Sequence, residues 1–547
     1  MHDGPRRAED DREDGTDAMR ALIGVDIGTQ GSKGALISGD GRLLASHSIE
    51  TELLVPRPGW AEHDADKVWW SSFVTIVKRL LAESQIAPTD ICGVGVSGLM
   101  PVMLPVDERL QPLRTALLYS DLRAHAEMEE MNAWVKRDGQ PSLVAHDVGP
   151  KAAWFREHQP ELWRRTWKLL GTQSYVVAKL TGRVVIDSIT AFGMRPLFNM
   201  ERRDWDVLAC DRAGVPFAML PEIVEMSDIV GGVTPEAAAE TGLAAGTPVI
   251  GGLTDYFAEL MSTGGGEPGD VVVTYGTTLC LTAFSDEPIG PCPGMGQSIL
   301  GNRDMEGLYP GIYGVGGGMA TSSALTRWFR DRFGSDYVRA ERELGENAYA
   351  LLAADAAATP PGAAGLIVLP YFSGERSPIH DDQARGVIFG LTLSHGRGHI
   401  YRALLEGVAY GLQHNLDMVR AAGVPLRRIV ATGGGSRSEL WTQIVSDVTG
   451  LPQVIIAPSN AALGAAFMAG YARGVFHHVP DVRQWARPQR EVYPREAVHE
   501  VYQRYYAIYR RLYEQTKDEM HDLARLSEET LGAAANVAAP SLTNQAS

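Results

Sequence analysis

The chain has 547 residues, 45% of them hydrophobic and 21% charged, with a formal net charge of −17. At roughly 100–200 residues per domain this calls for two or more globular units and excludes a chain disordered throughout. The acidic balance, with no basic stripe, argues against nucleic acid or an anionic membrane as the main partner, but leaves open a small anion bound where the surface is locally positive.

The N-terminal residues 1–20 are dense in charge and lack an apolar stretch, so they read as a solvated tail and not a secretory signal, with Met19 a candidate start. Strands are expected at ALIGVDI (21–27), GALISG (34–39) and ICGVGVSG (91–98), the last continuing through SGLMPVMLPVD. An amphipathic helix is expected at 68–84. Further strands follow at TPVIGG (247–252), DVVVTYG (270–276), LIVLPYF (366–372) and RRIVATGGG (427–435). Helices are expected at 399–423 and 440–450, each closed by glycine. This alternation indicates α/β architecture. Residues 497–526 read as one long helix with tyrosines at helical spacing, and the small, polar stretch from Ser527 as a disordered tail. Cys92, Cys210, Cys280 and Cys292 form no CxxC pair, which speaks against a disulfide framework or zinc site and fits a reduced cytoplasm. No apolar run reaches the ~18 residues of a membrane span.

The opening stretch LIGVDIGTQGSKGALI (22–37) is echoed by DVVVTYGTTLCLTAF (270–284). Each is strand, Gly-Thr turn, strand. One reading is two related α/β domains joined near the glycine-rich STGGGEPGD (262–270), a hinge candidate. The plainer one is that such turns are common in hairpins.

Gly93, Gly95 and Gly98 satisfy GxGxxG but lie inside a strand that opens no helix, so they are not a dinucleotide fingerprint. Walker A and the protein-kinase HRD and DFG motifs are absent. The opening turn is a better phosphate candidate. Gly28 and Gly31 allow close backbone approach, Thr29 and Ser32 carry hydroxyls, and Lys33 brings a point charge. Asp26 could hold Mg²⁺ through water; alternatively Asp26 and Lys33 form an ordinary exposed pair. Asp255, at the carboxyl end of a buried strand, is placed to accept a proton from a substrate hydroxyl, or simply to cap the helix that follows. In ATGGGSRSELW (431–441) bare backbone could lie against a planar ring, or merely make a tight turn.

Taken in order, DIGTQGSK, GGLTDYF, TYGTT, LPYFSGERSP, ARGVIFGLT and GGGSRSELW resemble the FGGY family of carbohydrate kinases, xylulokinase-like members above all. PGWAEHD followed by VWW, and LYSDLRA, add to the resemblance, which spans about residues 22–475. It implies two actin/hexokinase-like (ribonuclease H-like) α/β domains around a hinged ATP/sugar cleft. These would be residues 21–265 (sugar site, first phosphate loop) and 266–480 (nucleotide site), then a helical extension at 481–526 and a tail at 527–547.

By the same resemblance Asp255 is the catalytic base and Asp26 lies near Mg²⁺. Thr29, Gln30, Gly31 and Lys33 form the first phosphate loop, and Gly276, Thr277 and Thr278 the second. Gly434, Gly435 and Ser438 line the adenosine site, with Arg327 beside it. The implied activity is ATP- and Mg²⁺-dependent phosphorylation of a small sugar, a ketopentose such as D-xylulose giving the 5-phosphate. Another ketose or a polyol (tetrulose, ribulose, erythritol- or glycerol-like) is the alternative. No nucleic-acid or membrane partner is implied, and a homodimer is compatible. The family pattern breaks at one point. Where xylulokinases carry Gln-Met-His-Gly, this chain has Leu99, Met100, Pro101 and Val102. Met100, Pro101, Asp121, Asp255 and Tyr256 are the sugar-site candidates, with Arg123, Trp60 and Glu62 as further polar or aromatic residues. A nucleotide-driven binding protein like the heat-shock ATPases would need a peptide-binding module, for which the C-terminal residues are too short. A catalytically silent sugar sensor is opposed by the intact Asp26, Lys33 and Asp255.

Overall fold

A computed structural model describes residues 20–137, 140, 142–199, 201–297, 309, 311–457, 459–482, 486 and 488–538. Of the expected tails at 1–20 and 527–547, residues 1–19, Met19 included, and 539–547 lie outside them. The chain forms two compact units. The first takes the described residues up to Gly264 together with those from Ser459 to Ala486, the second those from Gly265 to 457 and from 488 onward.

The first unit is built on a seven-stranded sheet. Its strands are β1 (Ala21–Ile27), β2 (Gly31–Ser38), β3 (Leu43–Glu50), β4 (Ile91–Gly98), β5 (Ile229–Gly232), β6 (Pro248–Ile250) and β7 (Leu253–Thr254). Their order is β5-β6-β4-β1-β2-β3, with β7 also pairing β4. β1 and β2 form the expected antiparallel hairpin, while β1, β6 and β7 run parallel to β4. β1 reads as a continuous apolar run because it is covered on both faces. The helix Ser71–Ser84, entered through a single π-turn at Ala65–Trp70, packs on one face, where a Cβ at Gly34 would lie 2.1 Å from Ile76 Cγ2. The helix Ala461–Ala472 lies on the other face. A Cβ at Gly24 would come within 1.9 Å of the Ala462 carbonyl oxygen, and one at Gly95 within 2.1 Å of that of Ala465. The GxGxxG match therefore has a packing cause: glycine lets a helix backbone rest directly on the strands.

The second unit repeats the pattern with β8 (Asp270–Tyr275), β9 (Leu279–Ser285), β10 (Gly296–Gln297), β11 (Tyr313–Met319), β12 (Arg428–Thr432), β13 (Gln453–Ile456) and β14 (Pro488–Val492). The order is β10-β11-β9-β8-β12-β13-β14. In each sheet an antiparallel meander feeds a parallel run that ends in an antiparallel edge strand. The sequence echo is thus one topology used twice. The helices Arg397–Ala421 and Glu439–Thr449 bury their apolar faces in this unit's core.

Four local expectations are corrected. The strand at 91–98 stops at Gly98, and Leu99–Val102 form a connection before the short strand Leu104–Val106, because Pro101 has no N–H to continue a ladder. The helix Ala461–Ala472 packs in the first unit, although order along the chain had put it in the second. The stretch after 480 is not only helical, since β14 pairs antiparallel with β13, a strand hidden by its charged residues and bounding prolines. The long helix runs Glu496–Ala538, past Ser527. Its tyrosines pack inward as expected, Tyr502 and Tyr506 donating to Glu406 (2.8 Å) and Asp417 (2.6 Å). No helix among the described residues is long and apolar enough to cross a membrane.

Gly95→Ala is expected to cost about 2 kcal/mol or more, because the added methyl meets backbone and not a movable side chain. A thermal melt against the wild-type chain checks this; an unchanged melting temperature would contradict the close helix–sheet contact.

Candidate active site

Parallel strands leave their carboxyl ends on one edge, and in the first unit three chemistry-bearing stretches arrive there together. Asp26 stands opposite Ser97, and Thr254 opposite Gly98. Asp26 is therefore next to last in β1, Met100–Pro101 follow β4, and Asp255 follows β7.

Asp26 is half-buried, and its Oδ1 accepts a 2.9 Å hydrogen bond from Ser97 Oγ. Burial first, and then the neighbouring Asp255, push its pKa up to about 7; Ser97 and Lys33 pull it down, and Glu259 raises it again. Burial also raises Asp255 to about 6, against a hydrogen bond from the Tyr256 N–H to its Oδ1 at 2.7 Å. The two carboxyls feel each other, so they titrate as a pair. Asp255 is not the helix cap. Thr254 fills that role, its Oγ1 accepting from the Phe257 N–H at 3.3 Å, which leaves the Asp255 carboxylate at the first helical position. Nor are Asp26 and Lys33 an exposed pair: they face each other across the hairpin, but only Lys33 is exposed.

The donor set here is all oxygen: Asp26, Asp255, Glu259 and Ser97. Among the described residues no group of three or more metal-type side chains is arranged to hold an ion unaided. Carboxylate and hydroxyl oxygens are the donors that suit Mg²⁺, which takes one or two protein carboxylates together with waters and phosphate oxygens.

The first loop is a tight turn closed by Gly28 N–H to the Gly31 carbonyl at 3.1 Å. Thr29 and Gln30 form its tip and Lys33 stays exposed. Ser32 turns inward, its Oγ buried and without a partner, so it is removed from the phosphate candidates.

The polar sugar-site candidates are engaged elsewhere. Asp121 is wholly buried and accepts from the Ala61 N–H at 2.7 Å and from Arg123 Nε at 2.7 Å. Arg123 also pairs with Glu62 at 2.5 Å and lies 3.6 Å over the Trp60 ring, and Arg114 completes the pairing of Glu62 at 2.7 Å. Asp121, Arg123, Glu62 and Trp60 thus form a buried ionic and aromatic cluster, in which Arg123 Nη1 is buried without a partner. Met100 and Pro101 follow β4 at the same edge as Asp255. They pack on Gly193, where a Cβ would fall 2.8 Å from Met100 Cε and 2.7 Å from Pro101 Cβ.

Sequence reasoning missed a buried polar group close to β7, the strand that precedes Asp255. Gln173 Nε2 donates to Asp187 Oδ2 (3.1 Å) and to Thr190, and Gln173 packs against Gly252, just before β7. Thr172 Oγ1, Gln173 Oε1 and Ser174 Oγ are buried without partners. The available signal was a run of three polar residues opening a helix on its buried side. Lys151, also missed, is wholly buried; its Nζ donates to the His146 carbonyl at 2.9 Å, and burial lowers it to about 8.

In the second unit the Gly276–Thr278 turn joins β8 to β9. The Gly276 carbonyl accepts from the Ser323 N–H (2.9 Å), and the Thr277 carbonyl from those of Ser322 (3.0 Å) and Ala324 (3.1 Å). This ties the turn to the start of helix Ser323–Phe333, which carries the exposed Arg327 one turn on. Thr274 pairs with Thr432, so Gly433–Gly435 leave the neighbouring strand end. A Cβ at Gly435 would fall 3.0 Å from both Ser323 Oγ and Tyr275 Cβ. Ser438 caps helix Glu439–Thr449, its Oγ accepting from the Trp441 N–H at 3.3 Å. Gly276, Thr277, Thr278, Gly434, Gly435, Ser438 and Arg327 are thereby gathered at one edge of this sheet.

Residues 21–262 match the N-terminal domain of the FGGY family of carbohydrate kinases, and residues 271–473 match its C-terminal domain. The chain belongs to this family. This FGGY chain is 27% identical to the xylulose kinase of Bacillus subtilis (strain 168) over 507 residues, 91% of this chain and 98% of that one. It is 30% identical to the gluconokinase of the same organism over 465 residues, 83% and 88% of the two chains. The crystal structure of xylulose kinase from Rhodospirillum rubrum superposes with a TM-score of 0.80 at 30% identity, covering 92% of this chain and 100% of that one. Those similarities carry the two-domain α/β architecture of FGGY kinases and carbohydrate kinase chemistry. Since the relatives are named for different acceptors, they do not single out one sugar.

A raised carboxyl favours the folded state when protonated and loses that advantage as pH climbs through its folded pKa. For Asp26 the contribution is fully present below about 4 and is lost as pH rises through about 7. Asp26→Asn should therefore stabilise the chain by on the order of 1–2 kcal/mol at pH 8, with the gain shrinking toward pH 5. Urea unfolding at the two pH values measures it; a pH-independent difference would refute the assigned cause.

Proposed function

We propose that the chain transfers the γ-phosphoryl group of ATP to a hydroxyl of a small carbohydrate, with a ketopentose such as D-xylulose, giving the 5-phosphate, as acceptor. The observation that carries this is Asp255, held at the carboxyl end of β7 beside Asp26 and raised to about 6. Phosphoryl transfer is loose, so a base chiefly orients the attacking hydroxyl and takes its proton late. A carboxylate of raised pKa binds that proton more firmly than an ordinary one and is still ionised at neutral pH. In this reading Thr29, Gln30, Gly31 and Lys33 hold phosphate oxygens in the first unit, and Gly276, Thr277 and Thr278 form a phosphate-binding turn of the second. The glycine face at Gly434–Gly435, with Ser438 and Arg327, receives the adenosine. Mg²⁺, when bound, neutralises phosphate charge, and Asp26 would hold it through water.

Similarity to xylulose kinases supports the ketopentose. A second reading rests on Met100–Pro101, which put an apolar surface without a side-chain donor where xylulokinases carry histidine. Such a surface favours an acceptor with fewer hydroxyls, such as a tetrulose or a polyol, because polar pairing discriminates more strongly than apolar fit.

A coupled ADP assay with MgATP over pentuloses, hexuloses, tetruloses and polyols tests the proposal; if no acceptor raises ADP release above the basal rate, it fails. Asp255→Asn should lower kcat by about 10²–10⁴ while MgATP binding is retained. In the wild type, kcat/KM should fall about tenfold per pH unit below the pair's titration near pH 6–7, since only the ionised base works. Pro101→His should shift the substrate ranking toward xylulose, and an unchanged ranking would count against the role given to this position.

A further inference from the structure

The stretch PGWAEHD, with its following VWW, has no part in the chemistry described so far, yet it reaches the first phosphate loop. His63 lies on the short strand Glu62–His63, which pairs with Ala116–Leu117, and its ring is wholly buried. Its Nδ1 is 3.0 Å from the indole Nε1 of Trp69, also wholly buried. Its Nε2 is 3.1 Å from the carbonyl oxygen of Thr29. An indole nitrogen only donates, so Nδ1 must accept and the ring hydrogen must sit on Nε2, directed at Thr29. A doubly protonated ring would set two donors face to face at Nδ1. Trp69 is itself held, with the Tyr175 ring edge-on at 6.0 Å, and the Tyr175 hydroxyl bonded to Asp66 at 2.5 Å.

We infer that His63 is a positioning residue for the first phosphate loop: its tautomer is set by Trp69, and it fixes the orientation of the Thr29–Gln30 peptide. In a planar trans peptide the C=O and N–H point opposite ways. Anchoring the Thr29 carbonyl on His63 therefore turns the Gln30 N–H to the opposite face of the turn. The next carbonyl, that of Gln30, is anchored independently by the Thr51 N–H at 3.2 Å. Two successive peptides at the tip are thus clamped from the scaffold side, the preorganisation that an anion-binding turn needs. Burial, which pushes the imidazole pKa down, keeps the ring in the neutral form this requires. The inference rests on the phosphate-binding role proposed for the loop.

Calorimetric titration of the full chain with MgATP, together with steady-state kinetics, tests it. His63→Leu, which removes both ring contacts, should weaken MgATP binding about tenfold, with the sugar KM moving less than about twofold. His63→Gln, whose amide offers one donor and one acceptor, should recover most of the loss, and Trp69→Phe should weaken MgATP in the same direction as His63→Leu. In ¹⁵N–¹H spectra of the wild-type chain, the His63 ring, assigned by its absence from the His63→Leu spectrum, should be in the neutral Nε2–H form. A His63→Leu chain that binds MgATP as tightly as the wild type, equal losses for sugar and nucleotide, or an Nδ1–H tautomer would each overturn the role of His63 alone. A wild-type chain that does not bind MgATP would overturn the proposed function, and this role with it.

Discussion

Asp26, next to last in β1, and Asp255, directly after β7, leave strands that both run parallel to β4, and that register brings two carboxyls to one edge where water is scarce. The strain is electrostatic and local, and it is tolerable because surrounding groups divide it. Ser97 hydrogen-bonds one carboxyl, Lys33 offsets it from across the hairpin, and a backbone N–H steadies the other. Any cation drawn to this edge meets a site whose charge the fold has already concentrated. The glycines of β1 and β4, the hairpin and the start of helix Asp255–Ser262 can all be understood as holding that register in place.

The same logic separates scaffold from edge elsewhere in the first unit. Glu62, Arg114, Asp121 and Arg123 are ionic and would pass for ligands by composition. Their buried pairing, with Arg123 stacked on Trp60, makes them a joint between loops. Removing one member would leave a desolvated charge, so such joints are hard to alter piecemeal. Met100 and Pro101 carry no charge and follow β4 at the edge where Asp255 also stands.

Much of the architecture was legible in the sequence because its signals are local. Apolar runs gave β1, β4, β8 and β12, helical spacing gave Arg397–Ala421, and the paired Gly-Thr turns gave the repeat. Motif order along the chain brought out Asp255 and both turns. What stayed hidden depends on contacts distant in sequence. β14 is charged and flanked by prolines, and becomes a strand only by pairing with β13. Ser32 and Thr29 look alike as hydroxyls, and only strand alternation sends one inward. The burial of Asp121 is decided by residues sixty positions earlier in the chain. Gln173 and Lys151 read as surface residues by type, and only the packed interior shows otherwise.

The helix Ala461–Ala472 gives the chain an order of assembly. It completes the first unit, yet most of the second unit, up to β13, is translated before it. Until it emerges from the ribosome, β1 and β4 present a glycine-lined, apolar face with nothing to cover it. The nascent first unit must therefore wait as an incomplete sheet while the second unit's strands are made, and it closes only when the chain comes back. A fragment cut at the boundary near Gly264 would keep Asp26, Asp255 and the first turn but lack the helix that shields the sheet beneath them. By sequence it would look like a domain; in solution it would expose a surface prone to self-association.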